Sequence, residues 1–317
     1  MARNVWTREK EDFIEKNISS MSLKELAKHF DVSQNSIQKK ISSMGIKLKV
    51  AHGEYWSEEE DTIIQKHFMY APKDFLMRFL PRRTWLAIYQ RGHLKFHIPR
   101  ESQDKYFIDY NFFSQYTHDG AYMLGFIMAD GYLKFRTDDD RNASLLQLEL
   151  ADYDSDILYS IASALKFGGK ISFTKRHTAK LQINNTKIIQ DLIRMGIPEK
   201  DKTNAATFPE NLPRDFYPDF VRGLFDGDGS IYNDGGIAIQ FLGTQSILEG
   251  IRNILPCDTS DNHLFDRSKS GANIFALKFK KKKSIDICNW MYENASMFLK
   301  RKHNKFCELK NANFSAV

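Results

Sequence analysis

The stretch Gly223–Ile231, GLFDGDGSI, sets two carboxylates, Asp226 and Asp228, between glycines at the end of an apolar run. A near copy, Gly125–Leu133 (GFIMADGYL), lies 98 residues earlier. Each copy reads as an apolar helix whose small residues fall four apart, Gly125 with Ala129 and Gly223 with Gly227, and so share one face. Small residues on one face let two helix backbones approach closely, so the copies are expected to pack on each other. Asp130 and Asp228 then end their helices beside Gly131 and Gly229, which are expected to take the left-handed cap conformation. The carboxyl end of a helix is already the negative end of its dipole, so an acid there calls for a positive partner. If the helices pair about a twofold axis, the acids converge into an oxygen-ligand site for hard divalent cations, with the Gly131 and Gly229 positions beside it. Such metals can activate water and stabilise the leaving oxygen in phosphodiester hydrolysis. Asp226 has Met128 as its counterpart, so that position is not needed symmetrically. A calcium loop counted from Asp226 would need a glutamate at its twelfth position, which is Ile237, and that reading fails.

Outward from the two motifs, the pattern from 119 onward repeats one order of elements. In the first half come the helix Ala121–Ala129, strands near Gly131–Arg136 and Ser144–Leu150, a helix Asp154–Leu165, strands near Gly169–Phe173 and Ala179–Ile183, and a helix Lys187–Met195. In the second half, Pro218–Phe225, Gly229–Tyr232, Gly236–Leu242, Ser246–Ile254, a hairpin ending in Ala272–Phe279, and Ser284–Tyr292 keep the same order, and Lys300–Lys305 closes the chain. The fold class is α+β, a pseudo-twofold pair of half-domains over 119–205 and 206–317.

A second repeat occupies the first hundred residues. Trp6–Ile14 (WTREKEDFI) overlays Trp56–Ile64 (WSEEEDTII) at a shift of fifty, with Thr7 and Ser57 as N-caps and acids in each first turn. In the first copy, Ser22 and Glu25 have capping-box spacing ahead of an apolar face of Leu23, Leu26, Ala27 and Phe30. A third helix, Asn35–Met44, turns Ile37, Ile41 and Met44 inward and Gln34, Asn35, Gln38 and Lys39 outward. Three short helices of this kind resemble a helix-turn-helix of the Myb/SANT type, whose last helix reads the major groove. The second copy ends in a helix near Thr84–His93 with Arg82, Arg83, Gln90 and Arg91. The modules span 1–50 and 51–98, and 99–118 is a linker expected to pack on the first half-domain. Residues 1–100 hold 18 basic and 12 acidic side chains, whereas the remainder holds 28 of each, so the cationic excess lies where a polyanion would be bound.

The nine-residue stretches Met123–Gly131 (MLGFIMADG) and Val221–Gly229 (VRGLFDGDG), with the strands and helices after them, resemble the LAGLIDADG homing endonuclease family across 119–305. The resemblance implies that the motif helices form the interface between halves and that each half presents a four-stranded saddle to the DNA major groove. It implies that Asp130 and Asp228 bind the metal, and that each strand is cut across the minor groove to leave short 3′ overhangs. The cofactor is then Mg²⁺, with Mn²⁺ as a substitute and Ca²⁺ bound without supporting cleavage. The family also uses a basic residue near each scissile phosphate, which falls at Lys280 with Lys278 beside it. In the first half the matching position is Asn184, so either Lys180 substitutes or cleavage is unequal and the enzyme nicks. On the saddle faces, Gln147 and Glu149, and Ala238 and Gln240, alternate with apolar residues, and the glutamines suit adenine.

The partner expected is double-stranded DNA with a long asymmetric target, bound by a monomer whose two halves replace a dimer. The competing expectations are a regulator or RNA maturase that keeps the fold without cleaving, and N-terminal modules that recruit a protein. Cys257, Cys288 and Cys307 are odd in number and lack any CxxC pair, which argues against a disulfide framework or zinc site and for a reducing, cytoplasmic interior. No apolar leader or membrane-length run is present in the sequence. The start at Met1 and the end Phe314–Val317, without a terminal His-Asn, suggest a free-standing or intron-encoded enzyme rather than an intein.

Overall fold

The computed structural model describes residues 6–17, 21, 23–46, 56–100, 106–135, 144–269 and 272–314. Ser22, the side chain of Leu23 and the expected strand end at Arg136 lie outside the described residues. The chain resolves into two compact units, 1–61 and 62–317. Among the described residues no helix is long and apolar enough to cross a membrane.

The first unit is a small helical bundle of α1 (Arg8–Asn17), α2 (Leu23–His29) and α3 (Gln34–Ser43). Ile14, Leu26, Ala27, Ile37 and Ile41 form its core, with Trp6, Phe13 and Phe30 packed against them. Ser33 caps α3, its hydroxyl accepting from Ser36 N at 3.2 Å. Gln34, Asn35, Gln38 and Lys39 all face solvent.

The repeat continues in α4 (Glu58–His67), α5 (Lys73–Phe79) and α6 (Trp85–Gln90), the last started by the Thr84 hydroxyl. Ser57 and Glu60 cap α4 reciprocally, at 3.2 and 3.0 Å, as a capping box does. A π-helical turn, Arg91–Lys95, extends α6, and Gly92 lies in it because a methyl group there would meet the Phe68 ring at 2.5 Å.

The remainder consists of two halves of like order. The first runs α7 (His118–Asp130), β1 (Gly131–Lys134), β2 (Leu145–Ala151), α8 (Asp156–Ala164), β3 (Ser172–Phe173), β4 (Thr178–Ile183), α9 (Thr186–Arg194) and α10 (Lys202–Ala205). The second runs α11 (Tyr217–Asp228), β5 (Ser230–Asn233), β6 (Ile237–Gly243), α12 (Gln245–Ile254), β7 (Leu264–Asp266), β8 (Phe275–Lys280), α13 (Lys281–Tyr292) and α14 (Lys300–Phe314). Each half holds a four-stranded antiparallel sheet, ordered β1-β2-β4-β3 and β5-β6-β8-β7. Strand alternation sends Leu146, Leu148, Leu181 and Ile183, and likewise Ile239, Phe241, Leu277 and Phe279, into the core. Helices α8 and α9 cover the first sheet, and α12 and α13 the second, which leaves one face of each sheet open.

At the centre α7 and α11 pack on each other, and their glycines decide how closely. A methyl group at Gly125 would lie 2.0 Å from Phe220 O, and one at Gly223 would lie 2.0 Å from Tyr122 O. The two contacts are mirror counterparts, as the pseudo-twofold axis requires. Both helices are buried nearly all round, Phe126 and Phe225 included.

Candidate functional site: twin acids and twin lysines

Asp130 and Asp228 are the last residues of α7 and α11 and meet where the helices end; a methyl group at Gly227 would stand 3.3 Å from Asp130 Oδ2. Neither adjoining glycine takes the left-handed conformation expected of it: φ is −75° at Gly131 and −81° at Gly229. Each helix instead runs straight into a strand, and glycine is needed for space. A Cβ at Gly131 would lie 2.6 Å from Ile127 O, and one at Gly229 2.5 Å from Phe225 O.

The positive partner at these helix ends is lysine. Lys202 Nζ, from α10, donates to Ile127 O, Ala129 O and Gly131 O at 3.0, 2.7 and 2.6 Å. Lys302 Nζ, from α14, donates to Phe225 O, Gly227 O and Gly229 O at 2.6, 3.3 and 2.6 Å. Each ammonium group therefore gathers carbonyls of the last helical turn, of which Ile127 O and Phe225 O also accept from Gly131 N and Gly229 N, and neutralises the dipole beside the acid. The carbonyls of Gly131 and Gly229, expected near the metal, are engaged by these lysines.

The four charges act on one another. Burial against the helix ends pushes Asp228 up to about 6, with the Asp130 charge adding to it, although its carboxylate still reaches solvent. Asp130 is raised for the same first reason, against the pull of Lys202 and Lys302. Burial brings Lys202 and Lys302 each down to about 8. Two reluctant acids and two reluctant cations, open to solvent on one side, make a site poised near neutrality.

Lys280 and Lys180, the sequence candidates for the basic group near each scissile phosphate, lie on the sheets. Lys280 pairs with Asp234 at 2.6 Å and Lys180 with Glu149 at 3.0 Å, both on the sheets. The cations acting on the acids are Lys202 and Lys302. The two helix-end lysines are equivalent, whereas the sheet positions Lys280 and Asn184 stay unlike. Sequence reading missed both because each lies in a lysine-rich run, Glu199–Lys202 or Lys300–Lys305, with no local signal singling it out. One long-range signal existed: the lysines are 100 residues apart, close to the 98-residue motif repeat.

Asp226 does a different job. It is 1% exposed; Oδ2 accepts from Tyr122 Oη at 2.9 Å and Leu299 N at 2.7 Å, and Oδ1 from Tyr292 Oη at 3.1 Å. Burial raises it to about 6. It ties α7, α11, α13 and the start of α14 together and takes no part in the pairing of Asp130 with Asp228.

The open sheet faces carry the polar residues expected there. In the first, Tyr132, Gln147 and Gln182 form one cross-strand row, and Glu149 and Lys180 the next. Gln182 donates to Gln147 at 2.8 Å, Gln147 to Glu149 at 3.2 Å, and Thr178 to Glu149 at 2.8 Å, so the side chains are held in place by one another. In the second, Ser230, Gln240 and Lys278 form a row, with Lys278 5.5 Å over the Phe265 ring. A hollow of about 630 Å³ at that sheet's edge is lined by Lys278 and Lys280–Lys283. In the helical repeat Arg82 is exposed, Arg91 lies 5.4 Å over Phe96, and Arg83 is only 8% exposed, which corrects its assignment as a DNA contact.

No family model matches the sequence, and no curated protein does. Among solved structures, the chain is similar to the LAGLIDADG meganuclease I-AabMI bound to uncleaved DNA, at 14% identity over 63% of this chain and 92% of that one, with a TM-score of 0.44. The I-LtrWI LAGLIDADG homing endonuclease bound to target DNA matches at 12% identity over 62% and 91%, TM-score 0.42. I-SmaMI bound to an uncleaved DNA target in the presence of calcium ions matches at 11% over 63% and 93%, TM-score 0.41.

Proposed function

We propose that the chain is a site-specific double-strand DNA endonuclease of the LAGLIDADG kind, acting as a monomer. The observation that carries this reading is the convergence of Asp130 and Asp228 at the ends of two crossed helices, each helix end neutralised by its own lysine. Two open four-stranded sheets flank that point and supply amide and amine side chains of the type that contact base edges and phosphates.

The donor set suits a divalent cation of the magnesium type. Among the described residues no group of three or more His, Cys, Asp or Glu gathers, so the site offers Asp130 and Asp228 alone. Magnesium is commonly held by one or two carboxylates with water and substrate phosphates completing its shell. When bound, it would supply Lewis-acid stabilisation of the phosphate and a more acidic water. The chain's own residues do the rest. Asp130 and Asp228 fix the position of the reacting phosphates from the carboxyl ends of α7 and α11. Lys202 and Lys302 hold those ends rigid and place positive charge where the phosphodiester's negative charge grows. Gln147, Glu149, Gln240 and Lys278 orient the duplex over the site, with Gln34, Asn35, Gln38, Lys39, Arg82 and Arg91 as further contacts from the helical repeat. Equivalent lysines in the two halves favour cleavage of both strands.

The test is incubation with DNA of the source genome in Mg²⁺ and sequencing of the ends, beside Asp130→Asn and Asp228→Asn. Discrete breaks with short 3′ overhangs, absent in both variants, support the reading. Tight specific binding without breaks in Mg²⁺ or Mn²⁺ refutes it and leaves a regulator or maturase.

A further inference from the structure

The second helical repeat is built into the first half-domain. Asn185, between β4 and α9, is 0% exposed. Its oxygen accepts from Ile188 N at 3.2 Å, which starts α9, while its amide nitrogen donates to Tyr70 O at 2.9 Å in the turn after α4. A second junction lies nearby. Phe75 of α5 stacks on Phe107 at 5.7 Å, Arg78 sits 5.5 Å over the same ring, and His67 hydrogen-bonds Tyr110. That segment is fastened to the end of α8, since Asp109 N donates to Leu165 O and Gly168 N to Phe107 O, both at 2.8 Å. Arg100 folds the exit of the module back, lying over Phe68 and Trp85. Polar bonds and ring contacts at two separate places fix orientation as well as position.

Strand register says which end of the half-domain the module occupies. β1 leaves Asp130 at Gly131 and runs outward to Lys134, which pairs with Leu145; the next residue, Leu146, pairs with Ile183. Asn185 lies two residues beyond Ile183, so the module is joined at the sheet end remote from the acids, roughly 10 Å along the strands. It lengthens the half-domain away from the centre.

Its charges are segregated: of the six acids in 51–98 all but Asp74 fall before residue 62, whereas the seven lysines and arginines all follow from Lys66 onward, toward α6. On α6 and its π turn, Leu86 is 63% exposed, and Tyr89, Gln90 and His93 are exposed with it, beside Arg82. Apolar and amide groups set among cations on one short helix match the thymine methyls, base edges and phosphates of a major groove.

We propose that this module is a fixed DNA-reading extension of the first half-domain, with α6 in the major groove beyond the outer end of that half-site, at one spacing and one helical phase. The proposal rests on the DNA-binding part of the function above, not on cleavage. A tethered module would tolerate any spacing; one fastened through Asn185 and Phe107 does not.

The experiment is selection of random double-stranded DNA by the full chain in Ca²⁺, with the bound pool sequenced, for the parent and for a Leu86→Ala/Tyr89→Ala/Gln90→Ala variant, all exposed positions. The parent is expected to enrich two half-sites plus a third block on one side at constant offset. The variant keeps the half-sites, loses the block, and binds the parental site about tenfold or more weakly. Inserting five base pairs between block and half-site, half a helical turn, should cost as much as the variant does. A pool with half-sites but no third block, a block at variable offset, a block retained by the variant, or tolerance of the insertion each overturns this proposal alone. A parent pool without any preferred sequence overturns it together with the site-specific reading.

Discussion

Replacing Gly125 with alanine tests the central crossing most directly. The added methyl would stand 2.0 Å from Phe220 O and 2.8 Å from Leu224 N, both backbone atoms of the partner helix that cannot swing aside. Restoring an ordinary contact of 3.4 Å requires α7 and α11 to part by more than about 1 Å, and a gap of that size forfeits roughly a quarter to a half of the dispersion energy across it. Overpacking against side chains costs about 1–3 kcal/mol, and a backbone obstacle belongs at the top of that range, ~3 kcal/mol. For a unit of this size that lowers the melting temperature by roughly 6–12 °C. Because Asp130 lies five residues along the same helix, a 1 Å displacement should also cost about a hundredfold in cleavage rate. The assay is thermal and urea unfolding of Gly125→Ala and Gly223→Ala beside Gly168→Ala, where the new methyl meets its neighbours at 3.5–3.7 Å and little change is expected. Equal losses in the first two support the mirrored contact. A Gly125→Ala protein as stable as the Gly168→Ala control would refute it.

The charge state of the site gives further tests. Asp228, lifted to about 6 when folded, binds a proton more readily there than in the unfolded chain, so its contribution to stability falls as pH rises from about 4 to 6. Asp228→Asn should therefore be more stable than the parent at pH 7 in the absence of divalent metal, by ~1 kcal/mol once solvent access to the carboxylate is allowed for, with the gap closing below pH 4; an equal or lower melting point at pH 7 counts against the strained-acid account. Lys202 and Lys302, at about 8, bind fewer protons folded than unfolded, so their contribution improves as pH climbs from about 8 toward the ordinary lysine range. Lys302→Met should lower cleavage at least a hundredfold and expose the α11 carbonyls, whereas Lys280→Ala should leave the rate within a few fold; the reverse order in a single-turnover assay would restore the sheet lysine as the basic group. Tyr292→Phe should cost about 1–2 kcal/mol in urea unfolding by removing one of the three bonds to buried Asp226, and no loss would mean the acid is satisfied without it. Lys278→Ala should reduce the slope of log affinity against log salt by about one, and an unchanged slope would take it off the phosphate path.

The parts legible in the sequence were those written in local periodicity. Four-spaced glycine and alanine foretold the helix crossing, and alternation in SLLQLEL and GIAIQFL foretold which side chains face outward, within a residue or two of the strand ends observed. The capped start at Ser57 was equally plain. What stayed hidden depends on how distant segments wrap. The four-residue α10 and the fifteen-residue α14 carry the two lysines, yet nothing in EKDK or KRKHNK distinguishes Lys202 and Lys302 from their neighbours. The need for a cation at each helix end was evident from the dipole, but its source was taken to be a metal. The glycines after each acid were misread because a helix that ends usually turns, whereas here the chain continues directly into a strand.

Asp226 shows how the two halves differ at the seam they share. Its counterpart is Met128, and the counterpart of its partner Tyr122 is Phe220. Pairing two copies of the second half would set a buried acid against phenylalanine, and pairing two copies of the first would leave a buried tyrosine hydroxyl facing methionine. At these positions the seam is complementary between unlike halves, so each half is fitted to the other and not to a copy of itself.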